Sequence, residues 1–172
     1  MKRILTIVLM MLLGLAAGAQ DLHCTFTQNK TIRALNKETF RKGSIHFNAP
    51  EHFEMIWSVP KGEYLTINGN EVKRCIKGAV LKFDANKNAR VRNMRDILLD
   101  CITGEYEKAA RDYKATLTVE EKGDIKTVAL NGMTKDNSSF SLVVVDYNKK
   151  GLPVRMILDE FIGINSEYFF TY

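Results

Sequence analysis

At 172 residues and a formal net charge of +5, the chain has the size of one ordinary domain that can bury a core without staples. Its charge is too weakly positive to imply nucleic-acid binding. Three cysteines and three prolines speak against a disulfide-built scaffold or a low-complexity protein. Cys24, Cys75 and Cys101 form an odd set, so at least one thiol stays free in an exported protein, and a single bridge such as Cys75–Cys101 is left open.

The chain begins as a secretory leader does. Met1-Lys2-Arg3 is a short basic start, residues 4–15 are almost wholly apolar, and Ala17-Gly18-Ala19 is a small-x-small cleavage signal. The apolar stretch is too short to span a bilayer, so residues 1–19 are expected to be a cleaved signal peptide. Cys24 is preceded by Asp21-Leu22-His23, not by the small residues of a lipid-anchoring signal. The expected mature chain is soluble, exported and starts at Gln20. Losing Lys2 and Arg3 takes the net charge from +5 to +3.

The remainder, residues 20–172, reads as a single mainly β domain. An opening strand spans about 22–35. Residues 38–48 alternate, with Ile45 and Phe47 on one side and Ser44, His46 and Asn48 on the other. Phe53, Met55, Trp57 and Val59 alternate with Glu54 and Ser58, Ile56 being the exception on the wet side. Period two marks strands with one buried and one wet face. Pro60-Lys61-Gly62 ends that strand, and Asn68-Gly69 joins 64–67 to 72–75 as a hairpin. Gly123-Asp124 and the segment Asn148-Lys149-Lys150-Gly151 punctuate strands at 115–121, 125–130, 140–147 and 152–158, and a last strand runs over 164–172. Nine or ten strands on short connections must pair antiparallel.

One segment breaks period two. Met94, Ile97, Leu98, Cys101 and Ile102 fall on one helical stripe. Asn93 is placed to cap it, Asp96 lies in its first turn, and Gly104 can end it. Residues 105–113 read as a second, weaker helix. A long twisted sheet curls, and the concave apolar face is the economical place for the first helix. Such a curled sheet with a helix at its mouth can be a container or a plain packed core.

Lys73, Arg74, Lys77, Lys82, Lys87, Arg90, Arg92 and Arg95 stand against only Asp84 between 73 and 95. This is either a set of solvated faces or a docking patch for anionic head groups or an acidic partner, with Lys73, Arg74, Lys77, Lys82, Arg90 and Arg92 as its centre. His23, His46 and His52 share no metal-ligand spacing. Ser138-Ser139 lacks a nucleophile-elbow context, Glu120 and Glu121 point to opposite faces of a strand, and no Gly-rich phosphate loop is present. No enzyme, cofactor or metal is expected.

The ordered set Phe26-Thr27-Gln28, Gly43-Ser44-Ile45-His46-Phe47, Pro50, Phe53-Glu54-Met55-Ile56-Trp57, Pro60 and Ile67-Asn68-Gly69-Asn70-Glu71-Val72 resembles the front half of the LolA family, periplasmic carriers of outer-membrane lipoproteins. Residues 94–102 resemble that family's lid helix, and residues 140–170, with Asp159, Gly163 and Asn165, its closing strands. The resemblance implies an unclosed antiparallel half-barrel with a helical lid over an apolar cavity. Phe26, Ile45, Phe47, Phe53, Met55, Trp57, Leu65 and Ile67 would line the cavity, and Met94, Ile97, Leu98, Cys101 and Ile102 would form the lid. It implies a monomer with no catalytic residue and no cofactor, an acylated lipoprotein as cargo, an inner-membrane transporter as donor and an outer-membrane acceptor, with peripheral membrane contact only. Three departures stand beside the resemblance, of which Ala49 favours an alternative cargo such as a free lipid, a glycolipid or an acylated precursor; a lipid-sensing regulatory module is a further alternative. Only residues 20–25 precede Phe26 where the family has an amphipathic helix. Met55 stands where a Trp is common, and Ala49 where carriers have an Arg before the Pro.

Overall fold

The computed structural model describes residues 21–136 and 138–172; the expected leader lies outside them. The first half is a run of six strands, β1 (Asp21–Ile32), β2 (Lys37–Asn48), β3 (His52–Val59), β4 (Glu63–Asn68), β5 (Glu71–Ile76) and β6 (Ala79–Asp84). Two helices follow, α1 (Ala89–Thr103) and α2 (Tyr106–Asp112). The second half is β7 (Thr116–Lys122), β8 (Ile125–Asn131), β9 (Phe140–Tyr147), β10 (Pro153–Glu160) and β11 (Ile164–Thr171).

All eleven strands form one sheet in the order β6-β5-β4-β3-β2-β1-β11-β10-β9-β8-β7. The chain meanders outward from β1 to β6, crosses on the helices and meanders back from β7 to β11. β11 then pairs antiparallel with β1, from Thr25 opposite Thr171 to Ile32 opposite Ile164. β6 and β7 are the free edges, so the sheet is not closed into a barrel. The helices are the connection between those two edges. No helix among the described residues is long and apolar enough to cross a membrane.

Three local details differ from the sequence expectation. β6 carries no inside–outside contrast, because as an edge strand it leaves residues 79–82 exposed; Val80 and Leu81 are apolar neighbours on opposite faces, so alternation cannot reveal the strand. Val59 is 40% exposed, because a bulge between Lys42 and Gly43 shifts the β2–β3 register just before it. And α1 starts a turn early. Its cap is Asn88, whose side-chain oxygen accepts the Val91 N–H at 3.1 Å. Asp96 thus leaves the first turn and takes hydrogen bonds from Arg95 and the Tyr113 hydroxyl. The polar run Arg90, Arg92 and Asn93 hides that opening turn from an apolar-stripe argument. Gly104 ends the helix at φ 78°, with its N–H on the Asp100 carbonyl.

The inward side chains of the curved sheet and the apolar stripe of α1 make one continuous core, from Leu22, Cys24 and Phe26 on β1 through Phe47 and Phe53 to Val143 and Val145 on β9. Ile56 points out and is 44% exposed.

Candidate functional site

The core is not filled throughout. A cavity of about 280 Å³ lies between α1 and the concave face. Its sheet wall includes Ile45, Phe53, Met55, Trp57, Leu65 and Val72, and its helix wall Val91, Met94, Leu98 and Ile102. Phe140, Met156, Leu158, Tyr168 and Phe170 complete the far side. Each strand contributes its inward phase, which is why alternate residues recur.

The structure divides the sequence-expected wall residues. Ile45, Phe53, Met55, Trp57 and Leu65 line the cavity. Phe26, Phe47 and Ile67 are buried behind it; the Phe26 ring meets Trp57 edge-on at 5.9 Å. The helix residues divide too. Met94, Leu98 and Ile102 face the cavity, being four residues apart on one narrow stripe. Ile97 and Cys101 sit on the adjacent stripe and are fully packed.

A belt of polar groups crosses the wall, and a search for apolar residues passes over it. Gln28 is 2% exposed and uses both ends of its amide. Its oxygen accepts the Trp57 indole N–H at 3.1 Å, and its nitrogen donates to Ser166 Oγ at 3.2 Å and the Tyr168 hydroxyl at 3.0 Å. One side chain thereby fixes β1, β3 and β11 against one another. Arg41, 8% exposed, pairs with Glu63 and lies 4.5 Å from the Trp57 ring centre. The belt does have a sequence signal. Gln28 is in phase with Leu22, Cys24 and Phe26, and Arg41 with Ile45 and Phe47, so each is a polar residue in an inward slot.

The same slots hold charge. Lys30 on β1, Arg74 on β5, Arg90 in the first turn of α1 and Glu160 on β10 all line the cavity. Burial, and then the Arg74 charge, push the Lys30 ammonium below its ordinary value. Burial pushes the Glu160 carboxyl above the usual carboxylate range, against the pull of Lys30, Arg74 and Arg90. The expected basic patch is therefore not one surface. Arg74 and Arg90 line the cavity, Arg90 while still exposed, whereas Lys73 and Lys82 stand opposite each other across β5–β6 on the outer face. Lys73 pairs with Glu71 at 2.5 Å, and Lys77 and Arg92 are exposed.

Polar contacts at separate points hold α1 over the cavity. Ser139 Oγ donates to the Arg90 carbonyl at 3.3 Å. Arg95 donates to the Gly69 carbonyl at 3.2 Å and Asn70 Oδ1 at 2.6 Å, both in the β4–β5 turn. The Tyr147 hydroxyl donates to the Cys101 carbonyl at 2.6 Å. Cys101 is in the last turn, where carbonyls have no intrahelical partner. Lys108 on α2 pairs with the buried Asp100 at 2.6 Å.

All three cysteines are buried free thiols, without a Cys75–Cys101 bridge. Burial pushes Cys24 up to about 11 and Cys101 up to about 12, so both stay protonated and poorly nucleophilic. On the outer face the β1–β2 pairing brings together residues whose sequence spacing hid them. Asp21 Oδ1 lies 3.3 Å from His23 Nε2 and 3.1 Å from His46 Nε2. The two rings stack at 3.9 Å and 16°. The ligand atoms of Asp21, His23 and His46 all lie within 4.8 Å of one another.

No family model matches the chain, and no curated protein matches it by sequence. Among solved structures it is similar to a LolA superfamily protein from Nitrosomonas europaea, at 9% identity over 90% of this chain and 86% of that one, with a TM-score of 0.42. It is similar to an outer membrane lipoprotein-sorting protein domain from Vibrio parahaemolyticus, at 12% identity over 91% and 85%, TM-score 0.43. It is also similar to the Mycobacterium tuberculosis lipoprotein LppX, at 11% identity over 92% and 88%, TM-score 0.39. Superpositions this loose carry no argument about cargo or partner. The open half-barrel stands on the strand pairing itself.

Proposed function

We propose that this protein is an exported, non-enzymatic carrier of acylated cargo, with α1 as a lid over the cavity and apolar side chains of sheet and helix as the acyl-chain site. The observation that carries the reading is the cavity of about 280 Å³ between two elements that touch through side chains and a few polar contacts. Each CH₂ moved from water into it is worth about 0.8 kcal/mol, so a long chain brings on the order of 10 kcal/mol of gross driving force. A carrier must also let go. Met94, Leu98 and Ile102 compete with the cargo for the same wall and offset part of that gain, and Met94 and Met156 repack around variable chains. The expected leader and the LolA resemblance support a periplasmic carrier between inner and outer membranes, with a transporter as donor and a membrane acceptor.

A lipoprotein is the cargo that the resemblance implies. The cavity volume favours the second reading, a free lipid, because it lies just below the roughly 300–1,000 Å³ of common ligand pockets and suits a slender chain better than a multiply acylated anchor. Native mass spectrometry of the protein purified from its own periplasm separates the two, by a bound lipoprotein or a bound small lipid. Protein that arrives with neither, and takes up no acyl probe after delipidation, would overturn the carrier reading.

A further inference from the structure

The cavity's charged lining is unbalanced in a specific way. Four cations face it, namely Lys30, Arg41, Arg74 and Arg90. Arg41 is committed to Glu63 and Trp57. Lys30, Arg74 and Arg90 form no ion pair among the described residues, and the one carboxylate lining the cavity, Glu160, acts on all three. Three cations thus share one carboxylate that is not already paired, since Glu63 reaches Lys30 only from its pair with Arg41. A wholly apolar cargo would remove water from Lys30 and Arg74 and supply no partner, which is costly for any charge. A cargo with its own negative group would supply the missing partner.

We propose that the cavity is a site for an anionic amphiphile, whose phosphate or carboxylate head group sits between Lys30, Arg74 and Arg90 while its acyl chain lies against Phe53, Met94 and Leu98. This assignment rests on the carrier reading above and names its cargo class. Ser166 and Tyr168 add hydroxyl groups to the same wall, both already oriented by Gln28, and Ser139 adds a third beside Arg90. The three cations belong to different bodies. Lys30 and Arg74 are on the sheet and Arg90 is on α1, so an anion between them ties lid to sheet, and loaded protein holds its lid shut more firmly. Arginine suits the task because its planar fork grips an oxyanion with two donors at once. The basic residues on the outer face need no part in it.

Trp57 is the only tryptophan in the chain and stands in the cavity wall, so a brominated acyl chain that enters must quench its fluorescence. Three probes of equal chain length are titrated into delipidated protein: an alkyl phosphate, a fatty acid and a neutral monoacylglycerol. The acidic probes are expected to bind at least about ten-fold tighter than the neutral one. Lys30→Gln, Arg74→Gln and Arg90→Gln are each expected to lower the acidic-to-neutral affinity ratio about ten-fold. Arg90 is exposed on the first turn of α1, so its variant tests the seat without disturbing the sheet. The phosphate and fatty-acid arms distinguish a phospholipid-like source from a free acid. Equal affinity for acidic and neutral probes, or substitutions that weaken both alike, would overturn the anionic seat and leave the carrier reading standing. Failure of every probe to quench Trp57 would overturn both.

Discussion

Tyr147→Phe is the sharpest test of a moving lid. Tyr147 is 2% exposed, and burial holds its phenol well above the ordinary value, so it remains a donor at any physiological pH. Its hydroxyl is the partner of the Cys101 carbonyl at 2.6 Å. Phenylalanine keeps the ring and its packing but leaves that carbonyl unpartnered, at a cost of about 1–3 kcal/mol. If α1 must let go of β9 to admit cargo, the open state already lacks this bond and the cost falls on the closed state alone. The open population then rises by about five- to 150-fold. Hydrogen exchange of the α1 amides reads that population, and stopped-flow uptake of a fluorescent fatty acid reads its consequence. Both should accelerate together, while the amides of β9 and β10 change far less. The reasoning fails if exchange rises equally in α1 and in the central strands, which would mean that the bond breaks only in global unfolding. It also fails if α1 exchange rises and uptake does not.

Two further outcomes test the frame and its electrostatics. A Cβ at Gly43 would overlap the Ile56 carbonyl oxygen and lie 2.9 Å from the Phe26 ring, so Gly43→Ala is expected to cost about 3 kcal/mol or more and to lower Tm by about 6–12 °C; a melt within a degree or two of the parent would show that the bulge yields easily. Asp100 is 4% exposed, its Oδ2 has no partner among the described residues, and burial outweighs Lys108 to hold its carboxyl above 3.8. A raised folded value means that this group's stabilising contribution is complete below 3.8 and is lost as pH rises through the folded value. Urea unfolding should therefore show the parent gaining stability relative to Asp100→Asn as pH falls from about 7 to about 4, and a constant or reversed difference would contradict the burial argument.

Much of the sheet was legible in the chain because period two and turn chemistry are local. The Asn68-Gly69 hairpin, the Gly123-Asp124 turn and the Asn148–Gly151 connection all join the strands they were expected to join. β6 was not legible, since an edge strand exposed on both faces has no contrast to read. The start of α1 was missed because its first turn is polar and a stripe argument sees only apolar residues. The apolar wall was half legible. Alternation places Ile45, Phe53, Met55, Trp57 and Leu65 inward together with Phe26, Phe47 and Ile67, but it does not say which inward residues border a void and which are packed behind it.

The sequence alone determined that strands would pair antiparallel, that a helical segment would interrupt them at mid-chain, and that its first helix had an apolar face to bury. Those follow from side-chain spacing, which is a property of consecutive residues. Only the tertiary structure decided that β11 returns to β1, so that Lys30, Arg74 and Glu160, on strands far apart in sequence, share one cavity with Arg90 from the helix. Arg74 and Arg90 read as solvated faces or part of a docking patch, and nothing local marked Lys30 or Glu160. Their common environment arises from curvature and long-range pairing, and neither is written in any short stretch of chain.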